Sequence, residues 1–171
     1  MDQEVPISGR SLSPASFPRR VIWHILLGFS LYWVSNILVI FPWLLSRTLG
    51  IITMFLSTFL WGYAVYYCLK HAPGKDWNKD TISMAVCFLF TGVIQDYFLY
   101  VLYRDIPDEL YVLSKFLAYG LVFLIPFFVR FIILRRYKFQ SIKNISNIKL
   151  IITFSAGLLS LFLTLWSVRF W

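Results

Sequence analysis

Apolar residues run almost unbroken through five stretches of the chain, at about 21–45, 49–69, 81–103, 111–134 and 149–168. Each is close to the ~20 residues that carry a helix across a bilayer. The polar breaks between them differ in kind. The first is only Ser46-Arg47-Thr48, which predicts a tight helical hairpin, with Pro42 relaxing the turn before it. The second, KHAPGKDWNKD, combines Pro73, Gly74 and alternating charges, and predicts a true loop. The third, RDIPDEL, is short and mostly acidic, and the fourth, around RRYKFQSIKNISNIK, is the most basic part of the chain.

This pattern predicts an all-α integral membrane protein: one bundle of five transmembrane helices over residues 21–171, behind a flexible cytoplasmic tail at 1–20 that holds Pro6, Pro14 and Pro18. The fifth run is the weakest, because Thr153, Ser155, Ser160 and Thr164 interrupt its leucines. Four spans plus a surface-lying C-terminal helix is the competing architecture. Residues 130–148 either lie along the inner surface, with Phe131, Leu134, Ile142 and Ile145 toward lipid, or form a cytoplasmic loop. Arg19-Arg20 before an apolar run resembles a targeting signal. That run contains Trp23, Trp33 and Trp43 and has no small-residue cleavage site, so it is expected to stay in the mature chain.

Composition supports the membrane reading. Of 171 residues, 59% are hydrophobic and only 14% charged, against about 25% charged in soluble domains. A small soluble fold has too little interior to hide that much apolar surface, so the lipid bilayer is the expected partner. The net charge of +8 does not point to nucleic acid, because the basic residues sit at the ends of apolar runs and form no interleaved face. Twelve of the 16 Lys and Arg residues fall on one side of the five-span arrangement: the N-terminal segment, the second connection and the fourth. Arg47, Arg104, Lys115 and Arg169 fall on the other. The positive-inside rule then places the N-terminus in the cytoplasm and the C-terminus outside, in the cell (inner) membrane. Aromatic belts agree, with Trp43, Tyr103, Tyr111, Trp166 and Trp171 toward the outer boundary and Trp23, Tyr66, Tyr67 and Tyr137 toward the inner.

Against this background one carboxylate stands out, Asp96 in the stretch GVIQDYFLY. Helical spacing puts Ala85, Leu89, Gly92, Asp96, Leu99 and Tyr103 on one face, and Gly92 is expected to let another helix approach there. Asp96 precedes Tyr103 by seven residues, roughly 10 Å of helix at its usual rise. An ionised Asp at a span's centre costs ~2.5–3.5 kcal/mol, so partners are expected. Reflection through the hairpin connections matches its depth with Tyr119, Asn36, Thr58 and Thr164. Asn36, Thr58, Gln95, Asp96, Tyr119 and Thr164 are therefore candidates for one polar layer. Its two readings are interhelical glue and a binding or proton-relay site. Lys115 and Arg104, nearer the outer surface, are either salt-bridge partners of this layer or snorkel to headgroups, and snorkelling is the favoured reading.

Other chemistry is thin. His24 and His71 match in depth across the first hairpin, but two histidines without a carboxylate or thiolate do not make a convincing metal or haem site. No cofactor and no metal are expected. Cys68 and Cys87 read as small apolar fillers, offset in depth and not disulfide-bonded. Asp105, Asp108 and Glu109 read as a solvated turn with Pro107, and the sequon at Asn144 falls on the cytoplasmic side. Thr153, Gly157, Ser160 and Thr164 form a small-residue stripe suited to close helix packing, inside the protomer or against a partner. No nucleophile–base pair, phosphate loop or zinc-protease helix occurs, so an enzyme is the least favoured class. The sequence favours a membrane-embedded binding or accessory protein that packs against another membrane protein or itself. A small-solute or proton-linked transporter with its site at Asp96 is the alternative.

Overall fold

The computed structural model describes residues 17–71, 76–137 and 145–169, without the side chains of Phe17 and His71. The expected tail before residue 17, Pro73 and Gly74, Ile142, the Asn144 sequon and Trp171 lie outside the described residues.

Five helices follow one another: α1 (Phe17–Leu45), α2 (Arg47–His71), α3 (Trp77–Asp96), α4 (Leu113–Phe128) and α5 (Asn147–Val168). All five are long and apolar enough to cross a membrane, and no strand occurs among the described residues. The fifth is more apolar than the second, which corrects its ranking as the weakest span. Its scattered Ser and Thr residues are outweighed by the leucines and isoleucines between them.

Helix ends follow local chemistry. Only Ser46 separates α1 from α2, and hydrogen bonds from Ser46 N to Pro42 O (2.9 Å) and Gly50 N to Ser46 O (3.0 Å) carry the turn across the junction. The Trp43 ring lies over Gly50, where a Cβ would overlap it. α3 and α5 begin before the apolar runs because polar side chains cap them. Asp76 accepts from Asn78 N and Lys79 N at 2.9 and 3.3 Å, and Ser146 accepts from Lys149 N at 3.3 Å.

α3 does not stop at Asp96. It widens into a π-helical segment, Tyr97–Tyr103, ending in an Arg104 N to Leu99 O bond of 3.1 Å. Asp105 then turns the chain with φ 54°, a left-handed conformation that Asp tolerates better than most residues. A short 3-10 turn, Pro107–Leu110, leads to α4. α4 contains Pro126 and also widens into a π-helical turn, Val129–Ile133, so residues 129–133 continue the fourth helix instead of starting a separate surface segment.

α1 is the hub, packing on α5, α2 and α3, while α3 also packs on α4. Gly28 meets Thr91, and one turn further Tyr32 meets Asp96, so α1 and α3 rise in the same direction. Two glycines set the closest approaches. A Cβ on Gly28 would lie 2.5 Å from Thr91 Oγ1, and one on Gly157 would lie 2.7 Å from both the Phe29 ring and Ser30 Oγ. Gly92 does not have the expected role: it is buried, yet nothing lies within 4 Å of where its Cβ would be. The close approach on α3 is made one residue away, at Thr91, because the α1 glycine and not the α3 glycine faces the contact.

The interior holds Trp23, Trp33, Trp61, Val65, Met84, Phe88, Leu99 and Val129, with Trp61 edge-on to Phe88 at 5.1 Å. Outward faces are apolar too. Phe55 and Phe59 on α2, Leu117 on α4 and Ile151 on α5 are all more than 60% exposed, which no water-soluble surface repeats along every helix.

Candidate functional site

Asp96 is the last residue before α3 widens, and its carboxylate is 3% exposed. Three side chains from two other helices converge on it. Tyr32 of α1 donates its hydroxyl to Oδ1 in a short hydrogen bond, and Lys115 Nζ of α4 donates to the same oxygen at 3.0 Å. Tyr119 of α4 donates to Oδ2 at 2.6 Å. The Lys115 ammonium also lies 4.0 Å from the centre of the Tyr100 ring. A carboxylate offers about four acceptor positions, and three are filled here by donors that include a full positive charge.

The sequence pointed to Tyr119, offered Lys115 as a salt-bridge partner but favoured its snorkelling, and missed Tyr32. Depth matching compares backbone heights, whereas Tyr32 and Lys115 reach the carboxylate with long side chains. The signal was nevertheless present. Tyr32 lies one turn from Asn36, and Lys115 one turn from Tyr119, and residues four apart share a helix face. Lys115 therefore does not snorkel to the surface: its side chain is 20% exposed and paired with Asp96. Arg104 sits over the Tyr100 ring at 5.9 Å and lines an open depression with Tyr103, Val168 and Arg169.

Of the remaining candidates only Asn36 borders the cluster, through the Tyr32 side chain, and none of them reaches Asp96 itself. Asn36 Nδ2 donates to Tyr32 O of its own helix at 3.0 Å, and Thr58 Oγ1 turns to Met54 O at 3.4 Å. Gln95 Nε2 donates to Thr91 O at 2.8 Å, leaving its buried Oε1 without a partner, and the buried Thr164 hydroxyl has none either. Polar residues in apolar helices often satisfy themselves on the preceding turn, so equal depth did not bring the six together. The α5 stripe faces inward. Gly157, Ser160 and Thr164 are buried, and Ser30 Oγ donates to Thr153 O at 2.6 Å. The close packing expected of the stripe is thus made within the chain, against α1.

Near the opposite end of the bundle, His24 is buried with Nδ1 3.2 Å from Ser83 Oγ, while the His71 side chain lies outside the described residues. Cys68 and Cys87 are free and buried, and Trp23 Nε1 donates to Cys68 Sγ at 3.2 Å. Among the described residues no group of three His, Cys, Asp or Glu could hold a metal ion. A second ion pair, unforeseen because Asp80 was read as part of a loop, joins Arg20 Nε to Asp80 Oδ1 at 3.3 Å. No family model, no curated protein and no solved structure matches this chain.

Proposed function

We propose that the chain is an integral membrane protein whose five helices cross the cell membrane with the N-terminus in the cytoplasm. In this reading it is a binding or accessory protein that acts by packing its helices against another membrane component. One observation carries the choice. The Asp96 carboxylate is occupied by Tyr32, Lys115 and Tyr119 of the same chain, so the cluster serves to lock α1, α3 and α4 together. That leaves about one acceptor position on the carboxylate for a ligand.

A transporter is the second reading, favoured by the titratable Asp96–Lys115 pair buried between helices. Proteoliposomes of the purified chain separate the two. The accessory reading expects no flux of protons or small solutes. Its positive arm is in-membrane photo-crosslinking from outward positions such as Phe59 and Leu117, which should give one discrete adduct. A flux abolished by Asp96→Asn in a protein that still folds would establish the transporter instead.

A further inference from the structure

The strongest unexplained group is Arg130, in the π-helical turn that follows Pro126 at the basic end of the bundle. Its guanidinium lies 4.6 Å from the centre of the Trp77 ring in the first turn of α3. It is half-buried, and its buried Nε has no hydrogen-bond partner. Burying an unpaired donor is costly, more so on a charged group, and such a group calls for a partner. Asp80, one turn along α3 from Trp77, is paired with Arg20.

The surroundings define what that partner is. Trp77 and Asp80 are three residues apart on α3 and so neighbours on one face. Arg130 from α4 and Arg20 from α1 therefore flank the same helical turn. Arg19, beside Arg20, donates to the neutral carboxamide of Asn147 and also keeps its full charge. Arg19, Arg20 and Arg130 thus outnumber the carboxylates of Asp76 and Asp80 at this end of the bundle, leaving an excess of positive charge. The Arg130 guanidinium lies over the Trp77 ring, and its planar fork is suited to binding phosphate oxygens in pairs. The first N–H groups of α3 are taken by Asp76, so the arginines and not the helix end present the donors.

The geometry points to a binding site at Arg130 and Arg20 for the phosphate of an anionic phospholipid headgroup. The inference rests on the membrane reading above, because only then does this end of the bundle lie at headgroup depth.

The test uses the full chain reconstituted in phosphatidylcholine vesicles with and without phosphatidylglycerol. Resistance to alkaline extraction is scored first; a chain that is extracted sinks the membrane reading and this site together. With insertion established, native mass spectrometry of the released protein should show retained phosphatidylglycerol in preference to phosphatidylcholine. Arg130→Gln should weaken that retention about tenfold or more, the loss of one charged hydrogen-bonding partner. Arg136→Gln removes the same charge from an exposed position and should leave retention unchanged. Arg130→Lys, which keeps the charge without the planar fork, should fall between and serves if Arg130→Gln does not fold. Equal losses for Arg130→Gln and Arg136→Gln would reduce the effect to general surface charge and overturn the site. Binding of inorganic phosphate to the lipid-free protein, with displacement of phosphatidylglycerol by millimolar phosphate, would overturn the headgroup as its occupant.

Discussion

Lys115 Nζ lies 3.0 Å from Asp96 Oδ1, so the two charges buried deepest in this part of the bundle neutralise each other across α3 and α4. Asp96→Asn keeps a hydrogen-bonding side chain yet leaves the ammonium without its counter-charge. Breaking a buried pair from one side costs about 3–5 kcal/mol, and the partial exposure of Lys115 lowers this toward 1–3 kcal/mol. Adding Lys115→Gln should recover a large part of the loss. Unfolding in detergent micelles, followed by helical circular dichroism, measures both variants. Additive losses in the double variant would show that the pair contributes nothing.

Tyr32 and Tyr119 each deliver one hydroxyl to Asp96, whereas Asn36 bonds only its own helix. Tyr32→Phe and Tyr119→Phe should therefore destabilise the bundle by similar amounts, about 1–2 kcal/mol each. Asn36→Leu should cost less than about 0.5 kcal/mol, since its backbone acceptor stays in the helical ladder. The same unfolding measurement decides, and an Asn36 effect equal to that of Tyr32 would contradict the assignment.

Three of the buried glycines, Gly28, Gly92 and Gly157, should respond with opposite signs. Gly157→Ala and Gly28→Ala place a methyl group within 2.7 and 2.5 Å of neighbouring side chains, and overpacking of this kind costs about 1–3 kcal/mol. Gly92→Ala enters open space and gains helix propensity, so it should be neutral or stabilising by up to about 1 kcal/mol. Thermal midpoints of the three single variants in one detergent provide the comparison.

Reporter fusions after Trp171 should read as extracytoplasmic, and fusions after Lys138 as cytoplasmic, because twelve of 16 basic residues fall on the N-terminal side of the arrangement. A cytoplasmic reading at Trp171 would eliminate the five-span topology in favour of four spans.

The five helices were legible from the sequence because apolar length is a property of a stretch, and a stretch survives small errors at its ends. The Asp96–Tyr119 pair was legible because two antiparallel helices joined by a short turn match each other in depth. Tyr32, the preference of Lys115 for Asp96 over headgroups and the Arg20–Asp80 pair were not, since each depends on side-chain reach and on the rotation of a helix about its axis. Gly92 shows the same limit. Sitting on the right helix one turn from Asp96 did not decide which neighbour it faces, and the contact went to Gly28 and Thr91 instead.

The pairing of α1 with α5 has a consequence for the order in which the molecule comes together. Ser30 and Thr153 are 123 residues apart, and Arg19 reaches Asn147 across 128. α1 therefore waits for its most extensive neighbour until α5, the last of the five helices, has been made. The Asp96 cluster is complete once Tyr119 has been made, but Phe29 and Ser30 stay bare until Gly157 arrives. A chain cut short before Asn147 would still hold its charges in place while showing an open seam along α1. Closure by α5 is thus the step that seals the seam along α1.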